Sequence, residues 1–358
     1  MLAAQELGME FHIAGNWSYL SEAEKLADEE RYGIKIHQID FIRAPYHPKN
    51  KKAHNQLKDL VKREKYDAIH CNTPIGGVLG RIVGKQCKVK KVIYQVHGFH
   101  FYKGAPRKNW LLYYPIERWL SRHTDALITI NHEDYELAKS KFKLRNGGNI
   151  YYVPGVGIDT AQYAFDSETR EKKRAELNIP EDAFVLVSVG ELNTNKNNRV
   201  IISAMEKLNK SNLHYVLCGV GDQELNLKNQ AAKSGLQDNV HFLGYRTDVK
   251  EIYAMADCFV MPSFREGLSR SIMEAMASGL PCVVSKIRGN VDLVKDGEGG
   301  FLCDASDADA FADAINKLSD NDICSSMALY NKERIEDFGI EAVVQSVKDI
   351  YQEVFQNK

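Results

Sequence analysis

The chain has 358 residues, enough for two domains with hydrophobic cores, and its 44% hydrophobic and 27% charged residues are typical of a soluble globular protein. It contains no apolar run long enough for a transmembrane helix, and its first residues lack the features of a signal peptide. Its seven cysteines include no C-x-x-C pair, which argues against a disulfide framework and for reduced thiols in the cytoplasm.

The net charge of −1 conceals an uneven distribution. Residues 1–150 carry 25 Lys and Arg against 16 Asp and Glu, a net of +9, and residues 151–358 carry 22 against 32, a net of −10. A basic first half suggests an anionic partner such as a phospholipid surface, a lipid-linked phosphate or nucleic acid. Interleaved acidic residues disfavour nucleic acid, and an ordinary solvated surface is the alternative.

Short apolar segments typical of strands alternate with segments of helical periodicity from the start of the chain. In the first half, strands are predicted at 10–15, 35–41, 68–72, 91–98 and 126–131, and helices at 50–64, 76–86, 109–122 and 132–141. In the second half, strands are predicted at 183–191, 213–219, 240–244, 257–263, 281–286 and 299–303, and helices at 196–209, 222–234, 247–255, 269–278, 290–295 and 307–319.

Strands rich in Val, Ile and Leu that are separated by helices indicate parallel sheets covered on both faces. Two such series predict an α/β protein of two doubly wound domains, joined near 150–160, where Pro and Gly interrupt the pattern. An amphipathic helix at 340–357 follows the second series. Ligands of such sheets bind beyond the carboxyl ends of the strands, so the residues there are the candidates for function.

The first strand of the second series is followed by "GELNTNKNN" at 190–198. Gly190 would let a ligand approach the backbone. Lys196, at the predicted start of the next helix, could share a diphosphate with the helix amides. The alternative is a surface lysine in a polar loop.

Two further turns carry weaker signals. Gly219 lies in a strand–Gly-x-Gly–helix turn that falls short of a dinucleotide fingerprint, and Asp222 beside it could be a helix N-cap instead. Gly244 ends another strand, so Tyr245 and Arg246 would sit at the mouth of a pocket where a flat base could rest. A plain strand-to-helix turn explains these residues equally well.

Glu266 follows a buried strand directly, and a helix is predicted to begin just after it. Gly267 gives the backbone freedom, and the amides of Leu268 and Ser269 would be unpaired at the helix start. Such amides favour anions and hydroxyl oxygens. A glutamate in this position is better explained by function than by packing.

Glu274 lies eight residues after Glu266, inside the predicted helix. A carboxylate there can accept two hydrogen bonds from a vicinal diol such as ribose. The alternative is a capping box in which Ser271 is the N-cap and Glu274 its partner.

This E-x₇-E arrangement resembles the signature of retaining GT-B glycosyltransferases, most closely glycosyltransferase family four. The resemblance covers most of the chain, at 97–106, 153–159, 189–196, 218–222, 242–249, 253–263 and 279–302. The variants at 97–104, 189–198 and 285–294 resemble the exopolysaccharide and capsule branch of the bacterial enzymes.

The resemblance implies a GT-B fold, in which two Rossmann-like domains face a cleft. It implies an acceptor-side domain at 1–154, a nucleotide-sugar-binding domain at 155–338, and a C-terminal helix at 339–358 that crosses back to the first domain. The implied donor is a nucleotide-sugar, expected to be a UDP-sugar, and neither a metal nor another cofactor is expected. The implied acceptor is a lipid-diphosphate-linked or other saccharide, met by a cytoplasmic protein that is peripheral to the inner face of the plasma membrane.

The resemblance also assigns roles to single residues. Glu274 would bind the ribose, Glu266 would contact the transferred sugar near the reacting centre, and Lys196 would neutralise the leaving diphosphate. His97 would lie against the sugar, unless it is a core histidine bonded to a carbonyl; His100 is a less favoured substitute. The predicted nucleotide-sugar site is completed by Gly190, Asn193, Gly219, Tyr245, Arg246, Gly267, Leu268 and Ser269.

Two features depart from the family pattern. Glu191 stands where many relatives carry an arginine that also holds the diphosphate, so Lys196 would have to work with backbone amides, Arg270 or Arg288. Relatives also begin with a strand and a glycine turn that this chain does not show. We therefore expect either a truncated sequence or a first sheet that lacks a central strand.

The resulting interpretation is an anomer-retaining glycosyltransferase that uses a nucleotide-sugar. A GT-B sugar-nucleotide epimerase is the enzymatic alternative, and it would act on the donor without an acceptor. A nucleotide-sugar-binding subunit that activates a partner transferase is the non-catalytic alternative.

Overall fold

The computed structural model describes residues 1–44, 47–163 and 166–356. These divide into two compact units, unit 1 (Met1–Gly155 with Val343–Lys358) and unit 2 (Val156–Ala342). Residue 357 of the predicted C-terminal helix lies outside the described residues.

Unit 1 contains six strands and six helices that follow one another along the first part of the described chain. The strands are β1 (His12–Gly15), β2 (Lys35–Gln38), β3 (Ala68–Asn72), β4 (Lys91–Val96), β5 (Ala126–Thr129) and β6 (Asn149–Tyr152). The helices are α1 (Leu2–Glu6), α2 (Glu22–Tyr32), α3 (Asn50–Glu64), α4 (Pro74–Gln86), α5 (Arg107–Ser121) and α6 (His132–Lys141).

The strands of unit 1 are parallel and form two separate sheets. Strands β3, β4, β5 and β6 pair in that order, whereas β1 and β2 pair with each other, His12 opposite Lys35. A cavity of about 1840 Å³ is lined by residues of both β1 and β3. The six strands of unit 1 thus form two parallel sheets rather than one continuous sheet.

Helix α4 lies close to its sheet because glycines face the strands. A Cβ atom at Gly77 would stand 2.3 Å from the ring of Tyr94, and one at Gly80 would stand 2.7 Å from Cβ of Cys71. These distances are too short for any side chain. The glycines thus fix the separation of helix and sheet in unit 1.

Unit 2 contains the second series of elements. Its strands are β7 (Phe184–Val189), β8 (Leu213–Cys218), β9 (Val240–Phe242), β10 (Cys258–Met261), β11 (Cys282–Ser285) and β12 (Gly300–Cys303). Its helices are α7 (Ser167–Glu176), α8 (Arg199–Leu208), α9 (Glu224–Lys233), α10 (Val249–Met255), α11 (Arg270–Ala277), α12 (Asn290–Leu293), α13 (Ala308–Lys317) and α14 (Asn321–Arg334), and α15 (Ile340–Gln356) follows.

The sheet of unit 2 is parallel with the strand order β12-β11-β10-β7-β8-β9. Both of its faces are covered, since Val187 and Phe259 belong to one hydrophobic cluster and Leu186 and Val260 to another. The direction of strand succession reverses between β10 and β7, which is where doubly wound sheets bind ligands. The prediction of two α/β units with parallel sheets is confirmed.

The last helix, α15, packs on unit 1. Ile350 and Val354 join the cluster that contains Ile93 and Ala126, and the Tyr351 hydroxyl lies 2.6 Å from Nδ1 of His70. The apolar face predicted for this helix is thereby buried.

Candidate functional site

Two loops meet at the carboxyl edge of the sheet in unit 2, because β7 and β10 are neighbours. The loop after β7 carries Lys196, and the loop after β10 carries Glu266. Lys196 Nζ donates to Glu266 Oε1 at 2.9 Å, and both side chains are largely buried. The structure thus brings together two residues that the sequence marked separately.

The asparagines of the loop after β7 shape the turn that presents Lys196. Asn193 Oδ1 accepts a hydrogen bond from the Lys196 amide at 3.0 Å, an Asx-type turn. Asn197 adopts a left-handed conformation with φ of 53°. Helix α8 begins only at Arg199, so the expectation that Lys196 opens the helix is wrong. Lys196 precedes the helix because these side chains hold the backbone in a turn.

The same loop is tied to the strand-β10 loop by hydrogen bonds. Asn195 Nδ2 donates to the carbonyl of Arg265 at 3.0 Å, and the Phe264 amide donates to the Asn195 carbonyl at 2.9 Å. Asn197 Nδ2 donates to the Pro262 carbonyl at 3.1 Å. These bonds hold the two loops, and therefore Lys196 and Glu266, in one arrangement.

Gly190 and Gly219 pack against each other where β7 and β8 end. A Cβ atom at Gly219 would stand 1.8 Å from the Gly190 carbonyl oxygen, and one at Gly190 would stand 3.2 Å from Cε of Lys196. Backbone packing alone therefore requires Gly219. A small pocket here is lined by Ser188, Val189, Gly190, Glu191, Lys196, Asn198, Val260 and Met261.

The loop after β11 supports the main chain around Glu266. Arg288 is buried, and its Nε donates to the Glu266 carbonyl at 3.2 Å. A Cβ atom at Gly289 would stand 2.2 Å from the Gly267 carbonyl oxygen. Of the two arginines considered as helpers of Lys196, Arg288 lies beside the Glu266 loop, whereas Arg270 pairs with Glu274.

Helix α11 places Glu274 one turn from its start. The N-cap is Ser269, whose Oγ accepts from the Ile272 amide, and Ser271 is already the second helical residue. The alternative that Ser271 and Glu274 form a capping box is therefore wrong. Leu268 packs against the hydrophobic core, which leaves the turn at 267–269 anchored beside the helix start.

Three other side chains, Tyr253, Arg270 and Tyr163, hydrogen-bond to the Glu274 carboxylate. Tyr253 donates its hydroxyl to Oε2 at 3.1 Å, and Arg270 Nε donates to Oε1 at 2.9 Å. Burial raises the pKa of Tyr253 well above its usual range, and burial with the nearby Glu274 charge raises the pKa of Tyr163 to about 12. Both phenols therefore stay protonated at physiological pH and can donate to the carboxylate.

Sequence reasoning missed Tyr253 and Tyr163. A signal existed for Tyr253, because a tyrosine within the apolar stretch at 252–261 must find a partner for its hydroxyl. The sequence gives no indication that this partner is Glu274, 21 residues away.

Tyr245 and Arg246 follow β9, as predicted, but Arg246 has a local partner. Its Nε donates to Asp248 Oδ1 at 2.7 Å, and Lys173 contacts the same carboxylate. These cations hold the pKa of Asp248 well below its usual range. Tyr245 is exposed.

Asp222 does not cap a helix. Helix α9 begins at Glu224, and Gln223 is its N-cap residue. The N-cap alternative for Asp222 is wrong.

His97 lies in unit 1, just beyond β4. Its Nε2 stands 3.2 Å from Oδ1 of Asn72, the last residue of β3, and the side chain stays accessible to solvent, although desolvation by neighbouring groups lowers the pKa of His97. The side chain thus faces an asparagine rather than the backbone carbonyl of the alternative interpretation. The His100 ring packs against Tyr113 at 4.7 Å between centroids.

Within the described ranges, no group of three or more His, Cys, Asp or Glu side chains is arranged to hold a metal ion. None of the helices described is both long and apolar enough to cross a membrane.

Comparison with known proteins defines the class of protein to which the chain belongs. Residues 169–335 match the family of group 1 glycosyl transferases, and residues 18–131 match the glycosyl transferase 4-like family. The two α/β units match the GT-B fold of solved glycosyltransferases. The chain belongs to the group 1 glycosyltransferase family.

Relatives at the sequence level extend over nearly the whole chain. EpsD of Bacillus subtilis, whose name states glycosyltransferase but no substrate, is 37% identical over 97% of this chain and 90% of its own length. The UDP-Gal:alpha-D-GlcNAc-diphosphoundecaprenol alpha-1,3-galactosyltransferase of Escherichia coli is 32% identical over 87% of this chain and 81% of its own.

Solved structures share the fold at lower identity. Anabaena HepE in complex with UDP and glucose superposes with a TM-score of 0.80 at 20% identity, covering 98% of this chain and 94% of that protein. Sucrose-phosphate synthase from Thermosynechococcus elongatus gives a TM-score of 0.79 at 19% identity, covering 99% and 92%.

Proposed function

We propose that this glycosyltransferase transfers a sugar from a UDP-sugar to a lipid-diphosphate-linked saccharide, with retention of the anomeric configuration, in bacterial exopolysaccharide or capsule synthesis. The observation that carries the proposal is the Lys196–Glu266 pair at the carboxyl edge of one parallel sheet, with Glu274 on the helix that follows the Glu266 loop. Support for donor and acceptor comes from the E. coli relative, whose name states UDP-Gal and a diphosphoundecaprenol-linked sugar.

Glu274 is proposed to bind the ribose. A carboxylate offers about four acceptor positions, and Tyr253, Arg270 and Tyr163 hydrogen-bond to it without occupying all of them. These donors fix the orientation of the carboxylate, so that its remaining acceptor capacity is available to the hydroxyls of a vicinal diol. Such preorganisation avoids the entropic cost of ordering the side chain on binding.

Lys196 is proposed to neutralise the diphosphate as it leaves. The amides of Leu268 and Ser269, beside the start of α11, would add partial positive charge. Charge that develops on the leaving oxygen is best stabilised by groups already in place, and the hydrogen-bonded loops hold Lys196 in this way.

Retention follows if attack occurs on the face from which the diphosphate departs. The bond between the anomeric carbon and the diphosphate oxygen breaks, and a bond to the acceptor oxygen forms on the same face. The acceptor hydroxyl gives its proton to the departing phosphate, so no protein base is consumed. Glu266 is proposed to lie near the oxocarbenium-like sugar, and His97 is proposed to contact it.

The test is a panel of UDP-sugars offered with a lipid-diphosphate-linked saccharide. We expect a product whose mass increases by one sugar, and NMR should show the same anomeric configuration as in the donor. Lys196→Ala should abolish most of this product. Conversion of the donor without acceptor would support the epimerase, and donor binding without turnover would support the non-catalytic subunit.

The protein is proposed to act at the cytoplasmic face of the plasma membrane as a peripheral protein. The motive is the net charge of +9 in residues 1–150, since a polyisoprenoid-type acceptor would be embedded in a membrane with anionic lipids.

A further inference from the structure

Helix α5 exposes an apolar stripe on its outer side. The side chains of Leu111, Leu112 and Trp119 are 79%, 43% and 48% exposed, and Pro115 between them is exposed too. Their spacing of one, four and eight residues places them on one side of the helix. Exposed single hydrophobic residues are ordinary, but a contiguous stripe on one helix indicates an interaction surface.

The stripe is not needed to hold α5 on unit 1, because the opposite side of the helix packs there. Leu120 is fully buried, and the ring of Trp110 lies 5.4 Å from that of Phe101. Glu117 pairs with the buried Arg81 at 2.8 Å. Helix α5 therefore has an inner apolar side that packs on unit 1 and an outer apolar side that stays largely exposed, although the Trp119 ring touches Lys85 and His123 at its edge.

Cations frame the stripe at both ends. Arg107 and Lys108 lie exposed at the start of the helix, and Arg118 and Arg122 lie exposed at its end. Glu117 is the one acidic residue of Arg107–Ser121, and it is held on the inner side. The outer side thus presents apolar and positive groups together.

This charge pattern distinguishes between a second copy of the chain and an anionic lipid surface as the partner that binds the stripe. In a two-fold contact with a second copy, the same patch faces itself, so cations at both ends of the stripe would approach cations of the partner. An anionic lipid surface accepts the cations at both ends and the apolar side chains between them. Trp is moreover favoured at the boundary between headgroups and acyl chains.

We propose that the outer side of α5 docks on a bilayer that contains anionic phospholipid. The helix axis lies along the surface, Leu111, Leu112 and Trp119 enter the headgroup–acyl boundary, and the flanking cations pair with lipid phosphates. This docking surface rests on the proposed function in that a lipid-linked acceptor would reside in the same membrane. Its binding can be measured without any turnover.

The test uses the full chain and vesicles of phosphatidylcholine with or without phosphatidylglycerol. Wild type should sediment with the anionic vesicles, less so at high salt. The double variant Leu111→Ser/Leu112→Ser should bind about tenfold more weakly or worse, because two partly buried leucines are lost. Arg118→Gln and Arg122→Gln should each weaken binding about fivefold.

A matched control lies in unit 2. Leu225 and Leu329 are 69% and 71% exposed, so Leu225→Ser/Leu329→Ser removes the same groups from another surface. This variant should bind vesicles as the wild type does. Trp119 also supplies a probe, since its emission should shift to the blue on anionic vesicles, and Trp119→Phe should remove the shift.

Wild-type binding by Leu111→Ser/Leu112→Ser, or equal binding of wild type to neutral vesicles, would overturn the proposal. A dimer in solution that these substitutions dissolve would assign the stripe to a second copy. Transfer to a lipid-linked acceptor in detergent, without vesicle binding, would refute the docking surface alone. Vesicle binding without transfer to any acceptor would refute the proposed function alone.

Discussion

Lys196 and Glu266 form an ion pair of 2.9 Å although 70 residues separate them. Neighbouring parallel strands place their loops at one edge of the sheet, and hydrogen bonds between the loops fix the pair. The lysine that we propose for the diphosphate and the glutamate that we propose for the sugar are therefore held together without a ligand.

Lys196→Ala should lower turnover by roughly 10²–10³, the scale for removing one preorganised charge stabiliser. Lys207→Ala is the control, because Lys207 is a half-exposed lysine on α8 that pairs with Asp309. The measurement is steady-state donor consumption with saturating acceptor. Turnover like that of the wild type would show that other groups carry the diphosphate.

Glu266→Gln should separate binding from chemistry. The substitution keeps the shape but removes the charge that Lys196 now pairs with, so UDP should bind at least as tightly as to the wild type. Turnover should nevertheless fall, because the sugar loses its carboxylate. Calorimetry with UDP gives the affinity, and a donor-consumption assay gives the turnover. Weaker UDP binding with unchanged turnover would mean that Glu266 serves only to orient Lys196.

Tyr253→Phe should weaken UDP binding by about 0.5–1.5 kcal/mol, the net value of one hydrogen bond. Its hydroxyl orients Glu274 and touches no ligand in our proposal, so Tyr253 is a positioning residue. In a Glu274→Ala background the same substitution should have no further effect on UDP binding. An equal loss in both backgrounds would mean that Tyr253 acts independently of Glu274.

The sequence predicted that Lys196 and Glu266 follow strand ends of a parallel sheet, and the structure places both at neighbouring strand ends. The capping alternative named Ser271, whereas the structure uses Ser269, and the predicted start of α11 at residue 269 is one residue too early. Helix α7 was not predicted, because its inward residues include the charged Arg174. The burial of Arg174 depends on Asp257 at 2.8 Å and on the carbonyls of Met255 and Ala183. Such partners lie far apart in sequence, so local patterns do not reveal them.

Unit 1 should lose stability between pH 6.5 and 4. Burial lowers the pKa of His70 from 6.5 to about 4, so the unfolded chain takes up a proton that the folded unit resists. With respect to His70, the free energy of unfolding of unit 1 is highest above pH 6.5. It falls by up to about 3 kcal/mol as the pH decreases towards 4.

Tryptophan fluorescence during denaturant titration reports on this unit, because Trp17, Trp110 and Trp119 all lie in it. His70→Gln should show a flatter pH dependence over the same window. If the free energy of unfolding depends on pH equally in both proteins, other groups must cause the loss of stability between pH 6.5 and 4.

The most direct test of the account is calorimetric titration of UDP into wild type and Glu274→Gln. We expect Glu274→Gln to bind UDP about 1–3 kcal/mol more weakly, because an amide replaces the carboxylate that we propose as the acceptor for the ribose hydroxyls. Its melting temperature should remain close to that of the wild type, since Ser269 rather than a Ser271–Glu274 box caps the helix. Equal affinity for UDP in the two proteins would contradict the placement of the nucleotide at this site.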